Sequence, residues 1–159
     1  MNLRRIAGFT LIELLISLAI LGLLATVTVP LTQLYAQRKN EKLLHSALIE
    51  IRSAIDQYKK ASDEGRIARV IGASGYPPKL GILVEGVIDQ RSPNRQKIFF
   101  LRRIARDPFN PDNAIDDADT WGLRSYASEA NDPKEGADVY DVYSKDKNIG
   151  LNGIAYKFW

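Results

Sequence analysis

The chain has 159 residues, with 22 Lys or Arg against 19 Asp or Glu, one His and no Cys. That length accommodates one small domain plus an accessory segment, and the lack of Cys removes both disulfide stapling and the usual zinc arrangements, which draw their ligands mostly from Cys and His. The charge excess is not a nucleic-acid footprint, because setting aside Arg4 and Arg5 reduces the 22 basic residues to 20 against 19 acidic ones, and no basic-aromatic platform accompanies them.

The chain opens on the short basic segment Met1-Asn2-Leu3-Arg4-Arg5-Ile6-Ala7-Gly8. From Phe9 to Val29 follow about 21 residues in which Glu13 is the one charge, and a helix of that length rises roughly 30 Å, enough for one bilayer crossing. Arg4 and Arg5 keep the N-terminal end cytoplasmic by the positive-inside rule and send the rest across. A secretory signal peptide would have an uncharged apolar centre of about 7–15 residues and an A-x-A-like close. Leu24-Ala25-Thr26-Val27-Thr28-Val29-Pro30 offers no such close. Glu13 stands out, since an ionisable group in hydrocarbon costs roughly 2.5–3.5 kcal/mol on insertion scales and is expected to have a partner.

Beyond Pro30, the apolar positions Leu44, Leu48, Ile51, Ile55 and Tyr58 recur at spacings of four and three, the seam of an amphipathic helix. Gly65 suits a left-handed C-cap just after Ser62-Asp63-Glu64. Joined to the apolar run, the helix extends from near Phe9 to near Ser62, roughly 80 Å at standard rise. Pro30 removes a backbone donor and Gly22 adds a second soft point, so partial unwinding between them is expected. The short repeat and unordered flanking charges favour packing of the seam on the chain's own sheet over a homomeric coiled coil.

Gly72 to Pro78 is a loop by composition. Leu80 to Ile88 reads equally as a short helix or a strand, Asp107-Pro108-Phe109-Asn110-Pro111 ends the apolar stretch Lys97–Ile104, and Asp112 to Asp119 is expected to be an exposed acidic loop. Leu123–Ser128, Val139–Ser144 and Ile154–Trp159 are short, aromatic-containing strand candidates of an antiparallel meander. One face of that meander would cover the helix seam. Tyr126, Tyr140, Val142, Tyr156 and Phe158 are then core or cross-strand residues.

Gly8-Phe9-Thr10-Leu11-Ile12-Glu13-Leu14-Leu15, behind its basic leader, resembles the class III leader junction of type IV pilins and type II secretion pseudopilins. The resemblance implies cleavage by a prepilin peptidase between Gly8 and Phe9, N-methylation of Phe9, and a helix-weakening role for Pro30. Physical chemistry supplies a matching partner for Glu13. A new α-amine at Phe9 is largely protonated near neutral pH, its reference pKa being about 8. Offered by a neighbouring copy, it would pair with Glu13 and set register between subunits. Alternatively, Glu13 snorkels from near the helix end to the headgroups.

The C-terminal half resembles the major pseudopilin, the G subunit, through Tyr76-Pro77-Pro78, Leu101-Arg102-Arg103-Ile104, Arg106-Asp107-Pro108-Phe109, Trp121-Gly122, Asp141-Val142-Tyr143-Ser144 and Gly150-Leu151-Asn152-Gly153. The resemblance implies an optional Ca²⁺ in the loop between the last strands. Asp141, Asp146 and Asn152 are the candidate side chains, although Lys145 and Lys147 oppose a cation there and the family's later Asp pair is absent.

His45 sits in a charged helical segment, and no G-x-S-x-G, P-loop or H-E-x-x-H pattern occurs, so no catalysis is expected. The expected fold is α+β and pilin-like, a long N-terminal helix packed on a small antiparallel sheet. Its expected parts are a leader at 1–8, a transmembrane and assembly helix at 9–30, and a periplasmic domain at 31–159. Within that domain fall an amphipathic helix at 31–64, a variable loop region at 65–120, and a meander with a C-terminal loop at 121–159. The resemblance implies a bacterial inner-membrane subunit of the type II secretion pseudopilus, polymerising with itself and meeting minor pseudopilins, the prepilin peptidase and the inner-membrane assembly platform, without nucleic acid. The alternatives are a type IV or minor pilin, and a membrane-tethered periplasmic binding module that does not polymerise.

Overall fold

The computed structural model describes residues 8–159, with the backbone alone at 26–30. The chain divides into two compact units, one ending at Lys39 and the other running from Asn40 to Trp159. The helix α1, Leu11–Asp63, has 53 residues and contributes to both. It is helical through Gly22 and Pro30, so the unwinding expected there is not a feature of the single chain; the Pro30 side chain lies outside the described residues.

At the far end of α1 the chain stops in a Schellman arrangement. The Arg66 amide donates to the Ala61 carbonyl at 2.9 Å and the Gly65 amide to the Ser62 carbonyl at 3.0 Å. This requires Gly65 at φ +68°, a left-handed conformation that costs a residue without Cβ nothing.

In the second unit the predicted seam is the core. Leu44, Leu48, Ile51, Ile55 and Tyr58 are buried, joined by Ala47, Ala54 and Ala61, whose small side chains admit close approach of the elements above them. Those elements begin with α2, Ile82–Glu85, and a two-stranded antiparallel sheet of β1, Val87–Ile88, and β2, Lys97–Ile98, with Val87 opposite Ile98. The stretch that reads equally as helix or strand is thus one turn of helix followed by a two-residue strand. A second antiparallel pair, β3, Trp121–Arg124, and β4, Asp141–Ser144, sets Trp121 opposite Ser144 and Leu123 opposite Val142. Trp121 and Val142 are buried with the helix seam in one cluster. A Cβ on Gly122 would meet the Tyr143 ring at 2.3 Å, so the ring lies over the glycine backbone and would have to move for any other residue.

Two expectations change. Ile154–Trp159 is not a third strand: Ile149 and Ala155 form an isolated bridge, Gly150 and Gly153 close the turn between them, and Tyr156–Phe158 is a 3-10 turn. The Ile154 carbonyl accepts both the Gly150 amide at 2.9 Å and the Trp159 indole nitrogen at 3.1 Å, so the pairing stops after one bridge and the chain end folds back over it. Val142 and Tyr156 are buried and Tyr140 is half-buried; Tyr126 is exposed but packs its ring on Tyr140 at 5.6 Å between centroids, and Phe158 is exposed and not core. The acidic stretch is exposed at most positions, with its end wound into a 3-10 turn, Asp117–Thr120.

Arg66, just past the helix cap, pairs with Asp89 after β1 at 2.6 Å. The guanidinium hydrogen bond, with help from the Arg91 amide, holds the Asp89 carboxyl below the usual carboxylate range. Its contribution to stability is full above the ordinary carboxylate pKa near 3.9 and is lost as pH falls through the lowered folded value. Asp89→Asn is therefore expected to destabilise at neutral pH, with the gap from the parent chain closing below about pH 4 in denaturant melts. Ile51→Ala, at a fully buried seam position, is expected to cost about 2–5 kcal/mol in the same assay.

Candidate functional site

The N-terminal element follows from how α1 starts. Thr10 precedes the helix and Glu13 lies in its first turn, where the opening backbone amides lack intrahelical acceptors. The Glu13 Oε2 accepts from the Thr10 amide at 2.9 Å and from the Thr10 hydroxyl at 3.0 Å, while the Thr10 Oγ1 accepts from the Glu13 amide at 3.3 Å. This reciprocal arrangement is a capping box. The pattern Thr-x-x-Glu at 10–13 carries the signal, and reading Glu13 only as an intramembrane charge passes over it. Glu13 thus has a partner within its own chain, and among the described residues its Oε1 carries no bond.

Gly8 and Phe9 precede the helix, exposed and outside regular secondary structure, and nothing lies within 4 Å of a Cβ built on Gly8. An accessible, non-helical peptide is what a processing enzyme needs. The rest of the expected leader, Met1–Ala7, lies outside the described residues. From Phe9 to Leu24 every large apolar side chain is at least 53% exposed. Among the described residues no helix is long and apolar enough to cross a membrane. The fully described part of the apolar run ends at Ala25, about 15 helical residues or 22 Å, against a hydrocarbon core of about 30 Å.

The three candidate calcium ligands have other occupations. Asp141 accepts from Arg52 Nε at 2.7 Å and lies 3.4 Å from the Arg124 guanidinium. The same Arg52 reaches the Val142 carbonyl at 3.1 Å and the Trp159 main-chain oxygen at 2.7 Å, which pins β4 and the last turn to the helix. Asp146 accepts from the Asn148 amide at 2.7 Å and Asn152 from the Ile154 amide at 3.0 Å, each closing its own turn. A carboxylate already held by two guanidinium groups is a poor ligand for a hard cation that needs six to eight oxygens. Among the described residues no group of three or more His, Cys, Asp or Glu is placed to hold a metal. The donor set therefore does not fit calcium. Sequence reasoning misses Arg52, since its partners lie about 90 residues away and no local pattern announces them.

The motifs Arg106–Phe109 and Asp141–Ser144 meet, with Thr120, at one buried carboxylate. Asp107 accepts from the Ser144 hydroxyl at 2.6 Å and from the Phe109 amide at 2.9 Å, and the Asp107 amide donates to Thr120 Oγ1. The Trp121 indole donates to the Ala105 carbonyl at 2.8 Å, and the Val139 amide to the Pro77 carbonyl at 2.8 Å. Every one of these bonds is structural: Asp107 is 1% exposed and its oxygens are spent on the fold. His45 is exposed on α1.

A long N-terminal helix that starts in an exposed apolar stretch, continues into a core seam and carries small antiparallel sheets is an α+β fold of pilin-like form. Residues 3–29 match the prokaryotic N-terminal methylation motif. The chain is similar to the type II secretion system core protein G of Dickeya chrysanthemi, 29% identical over 110 residues that cover 67% of this chain and 65% of that protein. It is also similar to core protein G of Klebsiella pneumoniae, 26% identical over 116 residues, 69% of this chain and 74% of the relative. The type IV major fimbrial protein FimA of Dichelobacter nodosus is 39% identical over 77 residues, 44% of this chain and 48% of the relative. The chain thus spans just under two thirds of the Dickeya protein and about half of the Dichelobacter one. No solved structure matches the chain.

Thermal melts in Ca²⁺ and in chelator are expected to coincide; a rise in midpoint with Ca²⁺ would show that the loop after Asp141 rearranges to release its arginines.

Proposed function

We propose that the chain is a single-pass subunit of a bacterial inner membrane, N-terminus cytoplasmic and the unit Asn40–Trp159 periplasmic, that is cut by a prepilin peptidase between Gly8 and Phe9 and N-methylated at Phe9. It then polymerises into the pseudopilus of a type II secretion system, alongside minor pseudopilins and on an inner-membrane assembly platform. One observation carries the reading: apolar side chains on all sides of the first helical turns are exposed in the single chain, a state that water penalises by roughly 25 cal/mol per Å². Lipid relieves that penalty before assembly and neighbouring helices relieve it afterwards. The core protein G relatives, matched over about two thirds of this chain, favour the secretion pseudopilus. The more identical but shorter match to a fimbrial protein supports a type IV pilin as the second reading.

The capping box bears on how copies would join. Glu13 holds Thr10 through Oε2, so a neighbour's α-amine can take Oε1 without opening the helix cap. Desolvation offsets much of the attraction in such a pair, whereas leaving one partner buried alone is strongly unfavourable. The pair therefore penalises wrong axial steps more than it stabilises the right one. Glu13→Ala is expected to insert and be cleaved as the parent does while filament yield falls about tenfold or more. Filaments of normal yield and length from that variant would refute the amine pairing.

A further inference from the structure

After β4 the chain makes a tight loop. The Gly150 amide donates to the Ile154 carbonyl at 2.9 Å, the Tyr156 amide to the Asn148 carbonyl at 3.2 Å, and Ile149 bridges Ala155. A loop this well bonded has no local need to show apolar side chains to water. Yet Ile149 is 61% exposed, Leu151 45%, Ile154 48% and Phe158 57%. Three cations flank them. Lys145 donates to the Asp119 main-chain carbonyl, Lys147 is exposed, and Lys157 lies 5.7 Å from the Phe158 ring centroid and 5.9 Å from that of Tyr143, where it joins Lys134 in holding the Asp132 carboxyl below its usual range. Asp146, the acid within the loop, is turned onto the Asn148 amide. Apolar tips interleaved with such lysines match the chemistry of an anionic lipid interface, where the acyl boundary takes the former and headgroups the latter.

Position along the chain points the same way. The loop is tied to Glu41, whose Oε1 accepts from the Leu151 amide at 2.8 Å and from the Tyr156 hydroxyl at 2.9 Å. Glu41 follows the apolar run by only about 11 residues, a length that spans at most about 40 Å extended and about 16 Å as helix. A chain anchored through that run therefore keeps this loop within a short tether of the headgroups.

We infer that the loop from Lys145 to Phe158 docks on anionic lipid headgroups while the subunit is still unpolymerised, holding the domain at the bilayer surface until neighbours replace the lipid. This rests on the membrane-anchored reading above. The docked apolar side chains are inserted at the acyl boundary, and the lysines supply the preference for negative charge.

The chain contains no Cys, so single labels are clean. The full-length chain is reconstituted into vesicles at less than one copy per vesicle, with an environment-sensitive fluorophore at Ile154→Cys, or at Asn113→Cys in the exposed acidic loop as the comparison site. In phosphatidylcholine–phosphatidylglycerol vesicles the label at 154 is expected to be blue-shifted and quenched by brominated acyl chains, and the label at 113 is not. Replacing phosphatidylglycerol with phosphatidylcholine, or introducing Lys147→Glu, is expected to lower the docked fraction about fivefold or more. Thermal melts of each variant check that the domain remains folded. If the chain resists alkaline extraction but the label at 154 behaves as the one at 113, docking is wrong and anchoring stands. Protection that appears only when several copies share a vesicle assigns the loop to a second copy and overturns the lipid inference. A chain that alkali extracts removes the anchored reading and the docking with it.

Discussion

Burying the α1 seam from Leu44 to Ala61 is what allows a domain without disulfides to keep two sheets of two strands each, since an isolated pair of strands is marginal in water and neither pair here has a third. The helix supplies one continuous apolar face, and everything after Asp63 is laid on it. Where burial alone would let the last elements slide, polar groups on the wet flanks of the same helix fix them: Arg52 to Asp141 and the Trp159 oxygen, Glu41 to Leu151 and Tyr156. The seam supplies the energy, and these flanking groups supply the registration.

Much of this is legible in the residues because it is periodic or local. The seam is written at spacings of three and four, the helix stop in Gly65, and the apolar run in its own composition. The strands near 121 and 141 can be placed within a few residues by their aromatic and β-branched content. What escapes is non-local. Ile154–Trp159 has strand composition, but the tight turn at Gly150 and Gly153 leaves room for one bridge before the chain winds into a 3-10 turn. Asp141 looks like a free oxygen donor because the residue that claims it, Arg52, lies far back on the helix. Tyr126 and Phe158 have core composition without core positions, because β3 ends at Arg124, before Tyr126, and Phe158 lies in a 3-10 turn.

At the N-terminus, the capping box changes the meaning of Glu13. A carboxylate in an apolar segment carries a desolvation cost wherever it goes. Accepting from the Thr10 amide while the Thr10 hydroxyl oxygen accepts from the Glu13 amide reduces both costs together, since these opening amides have no intrahelical acceptor. The orientation of Glu13 is therefore set by its own helix.

The Glu41 and Arg52 bonds also decide how the domain carries load. A pull entering the second unit at Asn40 meets the Glu41 hydrogen bonds first, then the first buried seam residue, Leu44, and only about two turns later the Arg52 clamp. Bonds met in sequence share force poorly, so the loop after β4 is the first part to yield, while the Schellman cap at Gly65 is shielded at the far end. Under such a pull this order makes the last loop a sacrificial element and leaves the sheet pair β3–β4 as the portion that keeps its shape under tension.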